Sequence, residues 1–202
     1  QKAGCIELPK AKRVTEGNFT VISFSVSPDG SKVAFGHQPN PLINSFIKAD
    51  ISVVDLADHK ITAIVTNASS DAFEDWSPDS KEILYNSNLN DSTSNFYTNS
   101  KLYAVNLSTK AARQLARDLD EDLGGFSWQP TGIYASIWNK TKRPLYRIDP
   151  ITGNHAVVLT TPEQIYGFSF SKNGARVAFA GRNGDQLNEV FVSDIASIQP
   201  QK

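Results

Sequence analysis

Grouped carboxylates are the residues in this sequence whose types and spacing could do chemistry. Asp118, Asp120, Glu121 and Asp122 fall close together, and Glu74 and Asp75 are adjacent. Such groups can hold an α-amino group or another cation by charge-assisted hydrogen bonds; the plainer reading is a solvated acidic loop. His37 opens a long polar stretch and is a candidate for binding, whereas His59 and His155 sit in or just after tight turns. Trp138 precedes the polar run 139–143 and could face a ligand, with packing at a sheet edge as the alternative. No histidine is spaced with a carboxylate along one element, so a Ser-His-Asp triad has no support. The strings closest to Gly-x-Ser-x-Gly, at 125–129 and 167–171, lack the second glycine and fall in predicted strands. That motif needs its serine on a strand-to-helix turn. One cysteine, Cys5, and three scattered histidines give no ligand spacing, so neither a metal nor another cofactor is expected. The chain is therefore not expected to hold a complete catalytic site.

The elements that must position these residues come from the composition and the repeats. At 202 residues, 40% apolar and 20% charged, the chain has an ordinary globular balance. A net charge of −1 favours neither nucleic acid nor an anionic membrane as partner. No window approaches the roughly 18 apolar residues of a membrane span. The absence of methionine and the start at Gln1 lead us to expect a processed or excised piece of a longer protein. Asn-x-Ser/Thr sites occur at Asn18, Asn67, Asn90, Asn106 and Asn139, against about two or three by chance. The excess leans towards a secreted or periplasmic location over a cytoplasmic one; a polar, Asn-rich surface explains it equally well.

Internal repetition is the informative feature. Ser27-Pro28-Asp29-Gly30 returns as Ser77-Pro78-Asp79-Ser80, Gln129-Pro130-Thr131-Gly132 and Ser171-Lys172-Asn173-Gly174, at spacings of 50, 52 and 42 residues. An aromatic-containing strand precedes each turn, and an apolar strand follows it, starting at Val33, Ile83, Ile133 and Val177. Proline presets φ, Asp or Asn bonds its own backbone, and glycine accepts positive φ, which together make a hairpin. Third strands are expected at 51–55, 102–106, 145–149 and 190–194, and fourth strands at 61–65, 112–115 and 156–159. No stretch has helical periodicity. Four short antiparallel strands per repeat give an all-β fold: a β-propeller with about four blades present, part of a larger ring. Phe24, Trp76, Trp128 and Phe170 are read as one recurring position that packs neighbouring blades together.

The ends refine this expectation. Residues 5–8 resemble the end of a third strand and 12–15 a fourth, while 195–202 stop short of a fourth strand. The expected organisation is the end of a preceding blade at 1–17, blades at 18–66, 67–115 and 116–159, and an incomplete blade at 160–202. A closed four-blade ring is the alternative to a segment of a larger one. An open ring leaves blade faces uncovered, so self-association is expected.

With the repeats laid out, the sequence resembles the propeller of prolyl-oligopeptidase-family serine peptidases, in the acylaminoacyl- and dipeptidyl-peptidase branch. The segments that carry the resemblance are 24–35 with its Ser-Pro-Asp-Gly turn, 37–45 (His-Gln-Pro-Asn-Pro-Leu-Ile-Asn-Ser), 49–56, 96–102, 120–134, 168–179 and 188–194. The resemblance implies a non-catalytic domain that gates and binds peptide substrates beside a covalently linked α/β-hydrolase domain absent from these residues. In that setting Glu74, Asp75, Asp120, Glu121, Asp122, His37 and Trp138 are the candidate substrate contacts, with the two acidic groups at equivalent places in successive blades. TolB-like propellers share the Ser-Pro-Asp-Gly turn, and a protein-binding module of that kind is the alternative.

Overall fold

The computed structural model describes residues 10–88, 99–121 and 123–197. Asp122, the strand end expected at 5–8 and the acceptor site at Asn90 lie outside them. The described residues form fifteen strands in four antiparallel meander sheets. The first sheet holds β1 (Thr20–Val26), β2 (Lys32–Gln38), β3 (Asp50–Asp55) and β4 (Ile61–Val65). The second holds β5 (Asp71–Trp76), β6 (Glu82–Ser87), β7 (Lys101–Asn106) and β8 (Ala112–Gln114). The third holds β9 (Phe126–Gln129), β10 (Gly132–Ser136), β11 (Leu145–Ile148) and β12 (His155–Leu159). The last has three strands, β13 (Gln164–Phe170), β14 (Arg176–Arg182) and β15 (Glu189–Asp194). The only described helix is the 3-10 turn Ile43–Lys48, in the loop between β2 and β3.

The hairpins form for local reasons. Ser27 Oγ donates to Asp29 Oδ1 at 2.6 Å and accepts the Lys32 N–H at 3.0 Å. Ser77 repeats this with Asp79 and Glu82 at 2.8 and 2.9 Å, and Ser171 with Asn173 and Arg176 at 2.8 and 3.0 Å. The residue that closes each of these turns has positive φ: Gly30 at 72°, Ser80 at 60° and Gly174 at 67°. The third copy differs from expectation. With Gln129 and Thr131 in place of Ser and Asp, it has no such cap, and Gln129 pairs directly with Gly132 around a two-residue loop.

Middle strands are buried on both faces: β3 and β7 show four consecutive buried residues and β10 five. β7 and β10, with a sheet on either side, must be apolar on both faces, which is why those segments read as continuous runs. Three core clusters fill the junctions between successive sheets. In the first, Ala34, Ile51 and Val53 meet Trp76, Ile83 and Tyr85. In the second, Leu84, Leu102 and Ala104 meet Trp128 and Ile133, and in the third Tyr134 and Leu145 meet Val177 and Phe179. β5 touches both β1 and β9, so the first strands of the sheets lie along a common axis.

Two expectations are corrected by the register. Trp76, Trp128 and Phe170 pair with Ile83, Ile133 and Val177, and the residue in that place in the first sheet is Val26, paired with Val33. Phe24 pairs with Phe35, the place that Phe73, Phe126 and Phe168 hold elsewhere. Nor is Phe24 packed between sheets: it is 75% exposed, because no sheet among the described residues covers that side of β1. The second correction concerns residues 12–15, which form no strand; a lone segment has no sheet to pair with there. Among the described residues the sheets do not close into a ring, and β15 is the edge of the last one.

Candidate functional site

Meander topology sends the β2–β3, β6–β7, β10–β11 and β14–β15 loops to one rim, together with the connections between sheets. The first strands begin at that rim, and three of them carry a bulge near it, at Ile22, Glu74 and Gly167. Bulges re-aim side chains and cluster beside functional sites. Gly167, at φ 45°, occupies its bulge in the left-handed region that glycine tolerates.

Glu74, the extra residue in β5, is mostly buried and accepts a 2.8 Å bond from Asn86 Nδ2. Burial pushes its carboxyl up to about 7, the Asn86 bond opposes this, and neighbouring Asp75 adds to it. Asp75 is also raised by burial, against the pull of two backbone N–H donors. Those donors are Trp76, at 2.8 Å, and Trp128, at 2.7 Å in the next sheet, so Asp75 staples β5 to β9. Asp71, at the head of β5, is 1% exposed, bonds Asn67 Nδ2 at 2.8 Å and leaves Oδ2 unpartnered. Burial raises its carboxyl to about 6.

The other acidic group is of a different kind. Asp120 stands in the exposed β8–β9 loop, 2.7 Å from Lys101 Nζ, and Asp118 lies 3.4 Å from His155 Nδ1. Glu121 is half-buried in the same loop. The expected equivalence of the two clusters is therefore corrected: Asp75 pairs with Leu84 inside β5, and the residue in that place in β9 is Ser127, paired with Tyr134. Among the described residues no hydrogen bond or ion pair joins Glu74 or Asp75 to Asp120 or Glu121.

His37 lies away from the axis, on the uncovered side of the first sheet. Its Nε2 is 2.8 Å from Ser52 Oγ, and its ring packs against Phe19 and Phe35 at 4.9 and 5.4 Å. Burial lowers its pKa, with the Asp50 charge opposing. Ser127 and Ser169, from the Gly-Phe-Ser strings, are interior residues of β9 and β13, as expected.

Trp138 follows β10 and is 39% exposed. Around it the structure assembles residues that sequence reasoning missed. Arg143 lies with its guanidinium carbon 5.6 Å from the Trp138 ring centroid and 5.3 Å from that of Tyr166 on β13. Arg182, at the end of β14, stands 5.6 Å from the same Tyr166 ring. Gln164 ties the group together: its Oε1 accepts from Tyr166 Oη at 2.6 Å and Arg182 Nε at 3.0 Å, and its Nε2 donates to Thr141 O. Long-range contacts bring these segments together, among them the bridge between Arg143 and Gln164, so no local sequence signal marks the group.

No protein-family model matches the sequence, and no curated protein sequence matches it. Solved structures do. The β-propeller domain of the Trilobed protease from Pyrococcus furiosus superposes with a TM-score of 0.64 at 15% identity, over 90% of this chain and 51% of that one. The fold is a β-propeller. TolB from Acinetobacter baumannii shares the propeller with a TM-score of 0.66 at 19% identity, over 93% of this chain and 44% of that one. A Mycobacterium tuberculosis puromycin-hydrolyzing peptidase gives 0.68 at 14%, over 94% and 29%. Neighbours of this propeller thus include both prolyl-oligopeptidase-family peptidases and TolB-like proteins. The chain spans less than two thirds of each of these structures.

Proposed function

We propose that the chain is a non-catalytic propeller domain of a prolyl-oligopeptidase-family serine peptidase, of the acylaminoacyl- or dipeptidyl-peptidase type. In this reading it gates and binds peptide substrates beside a linked α/β-hydrolase domain outside these residues. The observation that carries it is the polar and aromatic rim at the heads of the inner strands, where Trp138, Arg143, Gln164 and Tyr166 meet. Peptides offer carbonyls, charged ends and apolar side chains, and this rim offers partners for each. Of the residues singled out from sequence, Trp138 and Glu121 stay as proposed contacts. Glu74, Asp75, Asp120 and His37 already have protein partners. The five glycosylation acceptor sites support placing the protein in an exported compartment. The TolB-like module has no observation of its own beyond the shared fold.

The test is an immunoblot of source cells with an antibody against this chain, paired with a serine-hydrolase activity probe. A band well above 22.1 kDa that takes the probe is expected. A band that never takes the probe rules the peptidase reading out.

A further inference from the structure

We propose that the rim where the β10–β11 loop meets β13 and β14 is a binding site for a peptide carboxylate. Arg143 and Arg182 supply the charge, and Trp138 and Tyr166 form the walls. The inference rests on the peptide-binding reading above and deepens it by naming the group recognised.

The site is held from several sides. The Arg143 N–H donates to Glu163 O at 2.8 Å, and Arg143 O accepts the Ile165 N–H at 2.9 Å, so its backbone is fixed to the head of β13. Its Nε reaches Ser136 O at 3.5 Å while the guanidinium lies between two aromatic rings. Arg182 Nε is bound to Gln164, which also holds the Tyr166 hydroxyl. Each Nε is thus spent on positioning, and the terminal Nη groups have no hydrogen-bond partner among the described residues. Arg143 Nη2 and the Phe168 ring both lie 4.0 Å from where a side chain at Gly125 would begin, so the guanidinium reaches the head of the inner strand β9.

Two cations sharing one aromatic ring repel each other. Glu163, beside Arg143 in space, is taken by Lys142 at 3.1 Å. An anion that bridges the two arginines removes the repulsion and fills their free Nη donors. A carboxylate matches the planar guanidinium fork in bidentate geometry. Because the arginines are already ordered, binding costs little side-chain entropy. A partly exposed Trp138 beside them offers an apolar surface for the residue that carries the carboxylate.

Calorimetric titration of the chain tests this with three N-acetylated tripeptides: one with a free C-terminal carboxylate, its C-terminal amide, and an amide carrying a glutamate side chain. The free acid is expected to bind roughly tenfold or more tighter than the amide. Tight binding of the glutamate amide as well would assign the site to any peptide carboxylate; its failure would assign the site to the C-terminal one. Arg143→Gln is expected to abolish the preference for acid, and Arg143→Lys to restore only part of it, since an ammonium lacks the fork. Arg182→Gln, on an exposed side chain, gives the same loss without risk to the fold. Arg176→Gln, at the far end of β14, leaves binding unchanged. Equal binding of acid and amide overturns the carboxylate site and leaves the peptide-binding reading standing. Binding of none of the three overturns both.

Discussion

The junctions between sheets and the two outer faces of the stack are built from the same positions of the repeat, yet they have opposite surroundings. Ile51, Leu102 and Leu145 pair with the same place on the second strand of their sheets, and each is fully buried. Val190 holds that place in the last sheet and is 72% exposed. At the other end Val26 is 54% exposed, where Trp76 and Trp128 show 2% and 7%. The outer faces are thus the two complementary halves of a junction that the chain builds three times. Exposure here reports the neighbour and not the residue, because a blade is apolar on both faces by design of the repeat.

The largest effect is expected inside a junction. Trp128→Ala removes an indole packed against Leu84, Leu102 and Ala104 and should cost about 3–5 kcal/mol of stability in denaturant unfolding. Val26→Ala, at the equivalent place on the outer face, should change stability by less than about 0.5 kcal/mol. Similar losses in the two variants would mean that the outer face is covered in solution. Sedimentation addresses that point directly. With Phe24 and Val26 uncovered at one end and Val190 at the other, the isolated chain is expected to self-associate head to tail. Val26→Glu and Val190→Glu should each weaken the association; a stable monomer at high concentration would break the comparison.

A charge inside a junction gives an intermediate effect. Glu74 is raised from 4.5 to about 7 and Asp71 from 3.8 to about 6, both chiefly by burial. A folded-state pKa above the unfolded one stabilises the fold below the unfolded pKa, and this contribution is lost as pH rises through the folded pKa. Between about pH 4.5 and 7 the Glu74 contribution therefore falls with rising pH. His37, lowered by burial, works in the opposite direction below its ordinary value, so the difference between variants isolates the carboxylate. Glu74→Gln keeps an acceptor for Asn86 and should gain about 1–2 kcal/mol at pH 8. At pH 4.5 it should gain nothing. A gain equal at both pH values would show that ionisation of Glu74 is not the cause.

How much of this was legible in the sequence follows from how local each signal is. The capped turns at Ser27, Ser77 and Ser171 are made by residues within five positions of each other, so the hairpins and the all-β fold could be read directly. The register of the inner strands could not. One bulged residue at Glu74 moves every earlier residue of β5 by one place against β6, so the counterpart of Phe24 is Phe73, while Val26, directly before its turn, holds the place of Trp76. The acidic pair Glu74-Asp75 reads as the counterpart of the carboxylates at 118–122 for a related reason: polarity marks exposure only where one face of a strand is wet, and β5 lies between two sheets. Trp138 stood out as an aromatic leading into a polar run. Its partners Arg143, Gln164, Tyr166 and Arg182 come from two sheets, and no spacing along the chain announces their meeting.

The smallest effect expected separates two ion pairs. Arg113 Nη1 and Nη2 meet both Glu82 oxygens at 2.6 and 2.7 Å, and its Nε donates to Pro150 O at 2.8 Å. This half-buried pair therefore also bonds the second sheet to the turn after β11. Arg176 and Asp194 lie 3.2 Å apart on the last sheet with both side chains mostly exposed, and no further sheet among the described residues packs beyond them. Arg113→Lys keeps the charge but loses the fork and the bond to Pro150, so it should cost about 1 kcal/mol. Arg176→Lys should cost close to nothing, as exposed pairs do. Added salt sharpens the contrast: it screens the exposed pair and leaves most of the Arg113 effect, because that part comes from geometry and partial burial. If Arg113→Lys instead proved neutral at all salt concentrations, the second junction would be held by its apolar cluster and the Asp75–Trp128 bond without help from this pair.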